Sequence, residues 1–358
     1  MSDRFSTSRR RFLINGSLLA AGLGVASGLT IGSAARAAEK TGTLVYSGFG
    51  GSYEQAVRAA LFDDFSRTRD VRVLATTGAS DVGRIAAMVR AHRTEWDLVD
   101  AQGATLAQFQ AQQLLQALPA NLVDPSLIFK PDLITPFSLP WYQFSQNIFW
   151  NTAALKQEPT SWADVWNVEK FPGKRGLSKL PWFSLEIALL ADGVALDQLY
   201  PLDVDRAFAS LDRIKQHAVF LDASGLANAA ASQEIVIGIS NLARLKTVQK
   251  AGVPVRHTWA QALIEIQQLV VLKDAPNQTN AFDAVAFAMQ PEPQRRILDS
   301  LGYTPTLKSV LDEIDPDLAR DLAGTDATRH SSFYLNPAWW GEHGATVARR
   351  WQDWLANI

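Results

Sequence analysis

Short apolar runs of strand length alternate with longer stretches of helical periodicity along most of the chain. That alternation predicts an α/β fold with mostly parallel sheets. A strand over residues 43–47 runs into the turn Gly48-Phe49-Gly50-Gly51. Ser52 then stands where it would cap a helix over 53–67, with Gln55 three residues on completing a capping box. Residues 71–75 read as a second strand, 82–92 as a helix, and 97–99 as a third strand that opens into the loop Ala101-Gln102-Gly103. Strand, turn and helix thus recur three times.

From residue 137 to 150 the pattern becomes extended and aromatic, with Pro140-Trp141-Tyr142 at its centre and too little helical periodicity to continue the earlier units. This predicts a crossing into a second domain. There, a strand over 175–178, a helix over 184–191, a helix over 203–217 capped by Asp203, a strand over 235–239 and a helix over 241–250 ended by Gly252 form a second set of units. A β-rich run over 265–272 returns, and helices over 277–290 and 291–302 cover the first sheet again. The first domain is therefore expected to be discontinuous, with residues 41–139 and 267–325 in lobe 1 and 140–266 in lobe 2. Residues 326–358 form a C-terminal segment whose helix over 339–357 carries Trp340, Val347, Trp351 and Trp354 on one face and docks on the body.

The first 37 residues differ from the rest. Ser8-Arg9-Arg10-Arg11-Phe12-Leu13 precedes a mildly apolar, glycine-rich run, and Ala35-Arg36-Ala37 supplies the small-residue pattern of a signal-peptidase site before Ala38. The twin arginine is similar to a Tat signal, whose cargo crosses the membrane folded. The expectation is cleavage and residence in the periplasm; a retained anchor is the alternative. Basic and acidic residues number 34 and 36. Residues 1–37 hold Arg4, Arg9, Arg10, Arg11 and Arg36 against Asp3, so the remainder is net −6. No positive field is available for nucleic acid. The absence of cysteine excludes disulfides, thiolate metal sites and thiol nucleophiles. His92, His217, His257, His330 and His343 show no metal-ligand spacing, and Tyr53 stands where a dinucleotide-binding glycine pattern needs its last glycine. No cofactor and no metal are expected.

Several landmarks resemble one family. They are the strand and aromatic-glycine turn over 44–53, Trp96-Asp97-Leu98-Val99, Pro140-Trp141-Tyr142 followed by Asn151, Phe171-Pro172-Gly173-Lys174, Glu186 with Gly193, and Val271-Leu272-Lys273-Asp274-Ala275-Pro276-Asn277. In order and spacing over about 260 residues the chain resembles the spermidine/putrescine-type solute-binding proteins of ABC importers. That resemblance implies a two-lobed periplasmic-binding-protein fold of the double-crossover kind (type II). It implies a non-catalytic receptor, working as a monomer, that closes on a small solute and delivers it to an inner-membrane permease. It further implies solute contacts at Phe49, Gly50, Gly51, Ser52, Tyr53, Gln102, Trp141, Trp182, Glu186, Asn241 and Gln267. Polyamine-holding members place an aromatic two residues after the position of Gln102 and a Trp-x-Asp at the return crossing; here Ala104, Glu265 and Gln267 occupy those places. Replacing that carboxylate by Gln267 exchanges a charge-assisted hydrogen bond for a neutral one.

From the residues themselves, the turn over 48–52 offers backbone N–H groups to an oxygen ligand, or is simply a tight strand-to-helix turn. Trp141, Tyr142 and Trp182 can stack on a solute or pack in the core. Glu186 is a ligand contact or a dipole-stabilised carboxylate. Asn241 and Arg244 share the first turn of one helix, where Arg244 grips a carboxylate if it points into the cleft and is otherwise a surface arginine. Polyamines, amino-acid-like zwitterions, opines and small organic acids all remain open as solutes. The rival class is an exported Tat-dependent enzyme.

Overall fold

A computed structural model describes residues 42–358, so the predicted signal segment lies outside the described residues. The strands are β1 Gly42–Gly48, β2 Val71–Thr77, β3 Leu98–Ala101, β4 Ser138–Asn151, β5 Arg175–Ser178, β6 Ala218–Leu221, β7 Ile237–Asn241, β8 Val255–Val271, β9 Thr304–Pro305 and β10 Ser332–Tyr334. They form one hydrogen-bonded path, β2-β1-β3-β8-β4-β7-β5-β6, with β10 paired to β8 and β9 to β4. The outer strands are parallel: β1 with β2 and β3, β5 with β6 and β7. The centre is antiparallel, where β8 meets β3 and β4, and β4 meets β7. A chain that crosses once and returns once must lay its two crossing strands in opposite directions, which the expectation of mostly parallel sheets did not include.

β4 is buried along its whole length, and its pairing with β8 shifts register between Pro140 and Tyr142 and again between Gln146 and Ile148. Pro140 has no N–H to give the ladder, so an irregularity beside it is expected. β8 is twice as long as predicted. Its first half, with His257 opposite Phe149 and Thr258 opposite Ile148, is too polar to read as a buried strand from sequence.

Among the described residues, three apolar cores surround the sheet. On one face of the β2-β1-β3-β8 wing, Leu44, Tyr46, Phe62, Phe65, Phe287 and Ile297 pack together; on the other, Ile85, Val89, Trp96, Leu106 and Phe109 do. The third core contains Trp162, Phe171, Leu177, Leu185, Leu211 and Ile237, together with Trp340 and Trp351 of the C-terminal helix Pro337–Leu355. The same helix passes close to helix Gly103–Ala111, where a Cβ at Gly341 would meet Ala107 at 3.2 Å.

Some local expectations are corrected. The helix after β1 spans Gly51–Val57, and its N-cap is Gly50 (φ +72°), not Ser52, with no side-chain cap. Two consecutive glycines at positive φ, Gly50 and Gly51, make the turn at no steric cost, so the helix starts before the Ser-x-x-Gln pattern. It continues through a π turn, Arg58–Phe62, into Asp63–Thr68. Asp203 caps its helix as expected, accepting from Arg206 N at 3.0 Å. Helices Gly103–Ala111 and Ala223–Ala231, and strand β6, have no counterpart in the sequence pattern.

Candidate functional site

A cavity of about 450 Å³ opens at the carboxyl ends of the strands, the usual ligand position in open α/β sheets. Every second residue of the middle of β4 faces it, namely Tyr142, Phe144 and Gln146. Gln267 comes from β8, Gln102 from the turn after β3, and Phe49 and Tyr53 from the turn and helix after β1. The opposite wall is built from the segments after β5, β6 and β7: Lys179, Leu180 and Phe183; Asp222, Ala223 and Ser224; and Asn241 with Arg244. Ser80 and Tyr303 complete the lining.

Of the residues singled out in the sequence, Phe49, Tyr53, Gln102, Tyr142, Asn241, Arg244 and Gln267 are brought together around this cavity. Gly50, Gly51 and Ser52 lie outside the lining; Gly51 and Ser52 are exposed. Trp141 is fully buried in the core with Leu44 and Phe62; the register shift between Pro140 and Tyr142 interrupts the strand alternation there, so its ring lies against that of Tyr142, 4.9 Å between centres, and it is Tyr142 that reaches the cavity. Trp182 packs edge-on to Trp340 at 6.2 Å between ring centres. Glu186 is an internal carboxylate: it accepts from Phe183 N (3.0 Å), Tyr200 Oη (2.8 Å) and Trp340 Nε1 (2.7 Å). Burial nevertheless pushes its pKa up to about 7.

The two ends of the cavity differ in polarity. Asn241 ends β7 and caps helix Leu242–Lys250, its Oδ1 accepting from Arg244 N at 3.3 Å. The Arg244 side chain enters the lining and, among the described residues, has no carboxylate partner. At the other end Asp100, fully buried on β3, accepts hydrogen bonds from Tyr46 and, at 2.8 Å, from Tyr53, whose hydroxyl lies 2.7 Å from that of Tyr142. Burial raises Asp100 to about 7 although the two tyrosine hydroxyls pull it down. Tyr303 stacks on Tyr142 at 4.8 Å and 15°. Burial lifts Tyr303 to about 12 against the lowering influence of Arg244. At the rim, Lys179 and Asp222 pair at 3.0 Å.

Sequence reasoning missed Asp100, although an acidic residue inside the apolar run Leu98-Val99-Asp100-Ala101 is itself a signal, since a buried carboxylate needs a reason. It also missed Tyr303, Phe144, Gln146 and the rim pair. Those depend on which elements become neighbours, and no local pattern encodes that.

The site has known relatives. Residues 60–324 match the model of the bacterial extracellular solute-binding proteins. The chain is 31% identical over 337 residues to a gamma-aminobutyric acid-binding protein of Pseudomonas aeruginosa, covering 92% of this chain and 95% of that one. A solved GABA receptor superposes with a TM-score of 0.80 at 33% identity, covering 87% and 97% of the two chains. A binding protein of A. tumefaciens R10 in complex with agropinic acid gives 0.82 at 29% identity, covering 88% and 99%. The spermidine/putrescine-binding periplasmic protein of Escherichia coli is 22% identical, covering 85% and 87%. Both the family and these relatives are solute-binding proteins and not enzymes. The chain belongs to the bacterial extracellular solute-binding protein family: it is the solute-binding protein of an ABC transporter, with the two-lobed periplasmic-binding-protein architecture.

Proposed function

We propose that this protein captures a small amino-acid-like zwitterion of the γ-aminobutyrate class in the periplasm, closes its lobes on it, and hands it chemically intact to an inner-membrane permease. The observation that carries this reading is Arg244: a cavity-lining guanidinium without a carboxylate partner among the described residues, at the amino end of a nine-residue helix whose dipole favours negative charge. A polyamine fits less well. The one acidic residue of the lining, Asp222, is already paired with Lys179, and Gln267 stands where polyamine-holding members have a carboxylate. The GABA-binding relatives support the same choice. An opine is the second reading, favoured by the agropinic acid complex and by a cavity of about 450 Å³.

A thermal-shift screen tests the class. GABA at a hundredfold excess over its dissociation constant should stabilise the protein by about 2.7 kcal/mol, and putrescine should not. Arg244→Ala should weaken GABA binding roughly 10- to 100-fold by calorimetry, the loss of about 1.5–3 kcal/mol of charged hydrogen bonding. Tight putrescine binding untouched by Arg244→Ala would overturn the reading.

A further inference from the structure

A zwitterion held as proposed above has a partner for its carboxylate and none for its ammonium. Resting on that reading of the solute, the geometry points to Asp100 as the group that selects the ammonium, acting from behind the cavity wall by turning the tyrosine hydroxyls in front of it into hydrogen-bond acceptors. A tyrosine hydroxyl has one proton to give. Tyr53 donates its proton to Asp100 Oδ2 at 2.8 Å. The 2.7 Å contact between Tyr53 and Tyr142 must then run from the Tyr142 hydroxyl to the Tyr53 oxygen. Both protons are spent inward, and both rings line the cavity. What this end offers a solute is oxygen lone pairs, backed by a buried carboxylate.

Gln267 strengthens the same polarity. Its Oε1 and Nε2, and Asp100 Oδ1, are buried polar atoms without hydrogen-bond partners among the described residues. Such atoms are costly unless something completes them. Gln267 stands close enough to Asp100 to lower its pKa without reaching bonding geometry. An ammonium seated against the tyrosine oxygens and Gln267 Oε1 would complete the set, and Gln267 Nε2 would be free to turn to Asp100 Oδ1. Asp100 thus supplies, from the neighbouring strand, the negative charge absent at Gln267.

Binding is thereby coupled to a proton. The groups facing Asp100 are Tyr46 from β1, Tyr53 from the first helix, Tyr142 from β4, the uncharged Gln267 from β8, and Tyr303, which also feels Arg244. Near neutrality the empty site holds Asp100 partly protonated, its pKa lying at about 7. An arriving ammonium favours the carboxylate, so Asp100 gives up its proton to solvent. Affinity for GABA should therefore rise with pH through about 7 and level off above it, changing by up to about tenfold per pH unit on the acid side.

Calorimetry with GABA and with butyrate, which lacks the amine, tests this at pH 6, 7 and 8.5 in phosphate and in Tris. The wild type should release protons on binding GABA at pH 6 and 7, release almost none at 8.5, and show no such difference with butyrate. Asp100→Asn should bind GABA at least tenfold more weakly at pH 8, with a flattened pH profile, and bind butyrate as the wild type does. Tyr142→Phe should weaken GABA and spare butyrate. Proton release in the wild type needs no variant to fold. GABA binding that depends on Arg244 but shows no proton release, or an Asp100→Asn variant that keeps GABA or loses both probes equally, overturns the assignment of Asp100 alone. A wild type that binds no zwitterion overturns the functional reading and this assignment together.

Discussion

Two buried carboxylates show how much individual residues are asked to bear. Glu265 on β8 is almost fully enclosed with neither carboxylate oxygen partnered among the described residues, and burial, followed by the nearby Glu186, raises its pKa well above the ordinary value. Glu186 has three donors and still rises to about 7. In both, the folded state holds its proton more tightly than the unfolded chain. The associated stability is complete below the unfolded pKa of about 4.3 and is lost as pH climbs through the folded value. For Glu186 the shift from 4.5 to about 7 corresponds to roughly 3 kcal/mol. Thermal unfolding should accordingly show a midpoint that falls between pH 5 and pH 8. In Glu265→Gln, which removes a buried carboxyl group that folding must keep protonated, that fall should be smaller and the variant should exceed the wild type at pH 8 but not at pH 5. An identical slope in both proteins would refute this coupling. The sequence places Glu186 among apolar neighbours, yet only the fold reveals that its partners are Tyr200 and Trp340, 14 and 154 residues away.

Among the elements, the C-terminal helix and the β5–β7 pair set the tightest constraints. The helix Pro337–Leu355 is legible from its tryptophan spacing, and it does bury Trp340 and Trp351. Its destination is not legible. Trp351 Nε1 donates to Lys179 O at 2.8 Å, and Lys179 stands on the cavity rim, so this helix supports the second wall of the cavity from behind. Trp351→Ala should cost about 3–5 kcal/mol in chemical denaturation, from lost burial and the hole left behind. Where β7 crosses β5, Gly238 (φ +152°) brings its backbone so close to Gly176 that a Cβ would fall 2.0 Å from the Gly176 oxygen. Gly238→Ala must push two paired strands apart, and we expect a loss of at least about 2 kcal/mol on the same measurement. The apolar run puts β7 two residues too early, at 235–239, because Asn241 reads as the first residue of the following helix. In the structure Asn241 serves both elements, ending the strand and capping the helix that carries Arg244.

Within the sheet, the parallel wings are joined through antiparallel β4 and β8, whose pairing is interrupted twice, and the C-terminal helix touches both sides. A solute held between Arg244 on one wall and Tyr53 and Tyr142 on the other touches segments from both sides of that junction, and it shifts the lobes only by as much as it prefers the closed arrangement. Small-angle scattering should show a smaller radius of gyration with saturating GABA than without; superimposable curves would count against closure. The α/β alternation, the outgoing and returning crossings, the capped helix at Asp203, and Tyr142 and Arg244 as candidates can be read from the chain before it folds; Phe49, Tyr53, Gln102, Asn241 and Gln267 are implied by the family resemblance. The elements are set by periodicity, capping chemistry and turn residues, which act over a few positions. Folding was needed to turn Trp141 into the core while Tyr142 faces the cavity, to stand Asp100 behind Tyr53, and to aim Arg244 inward. Those outcomes depend on contacts between distant segments, 47 residues apart for Tyr53 and Asp100 and farther still for Tyr142 paired with Gln267, and no local pattern contains the register that fixes them.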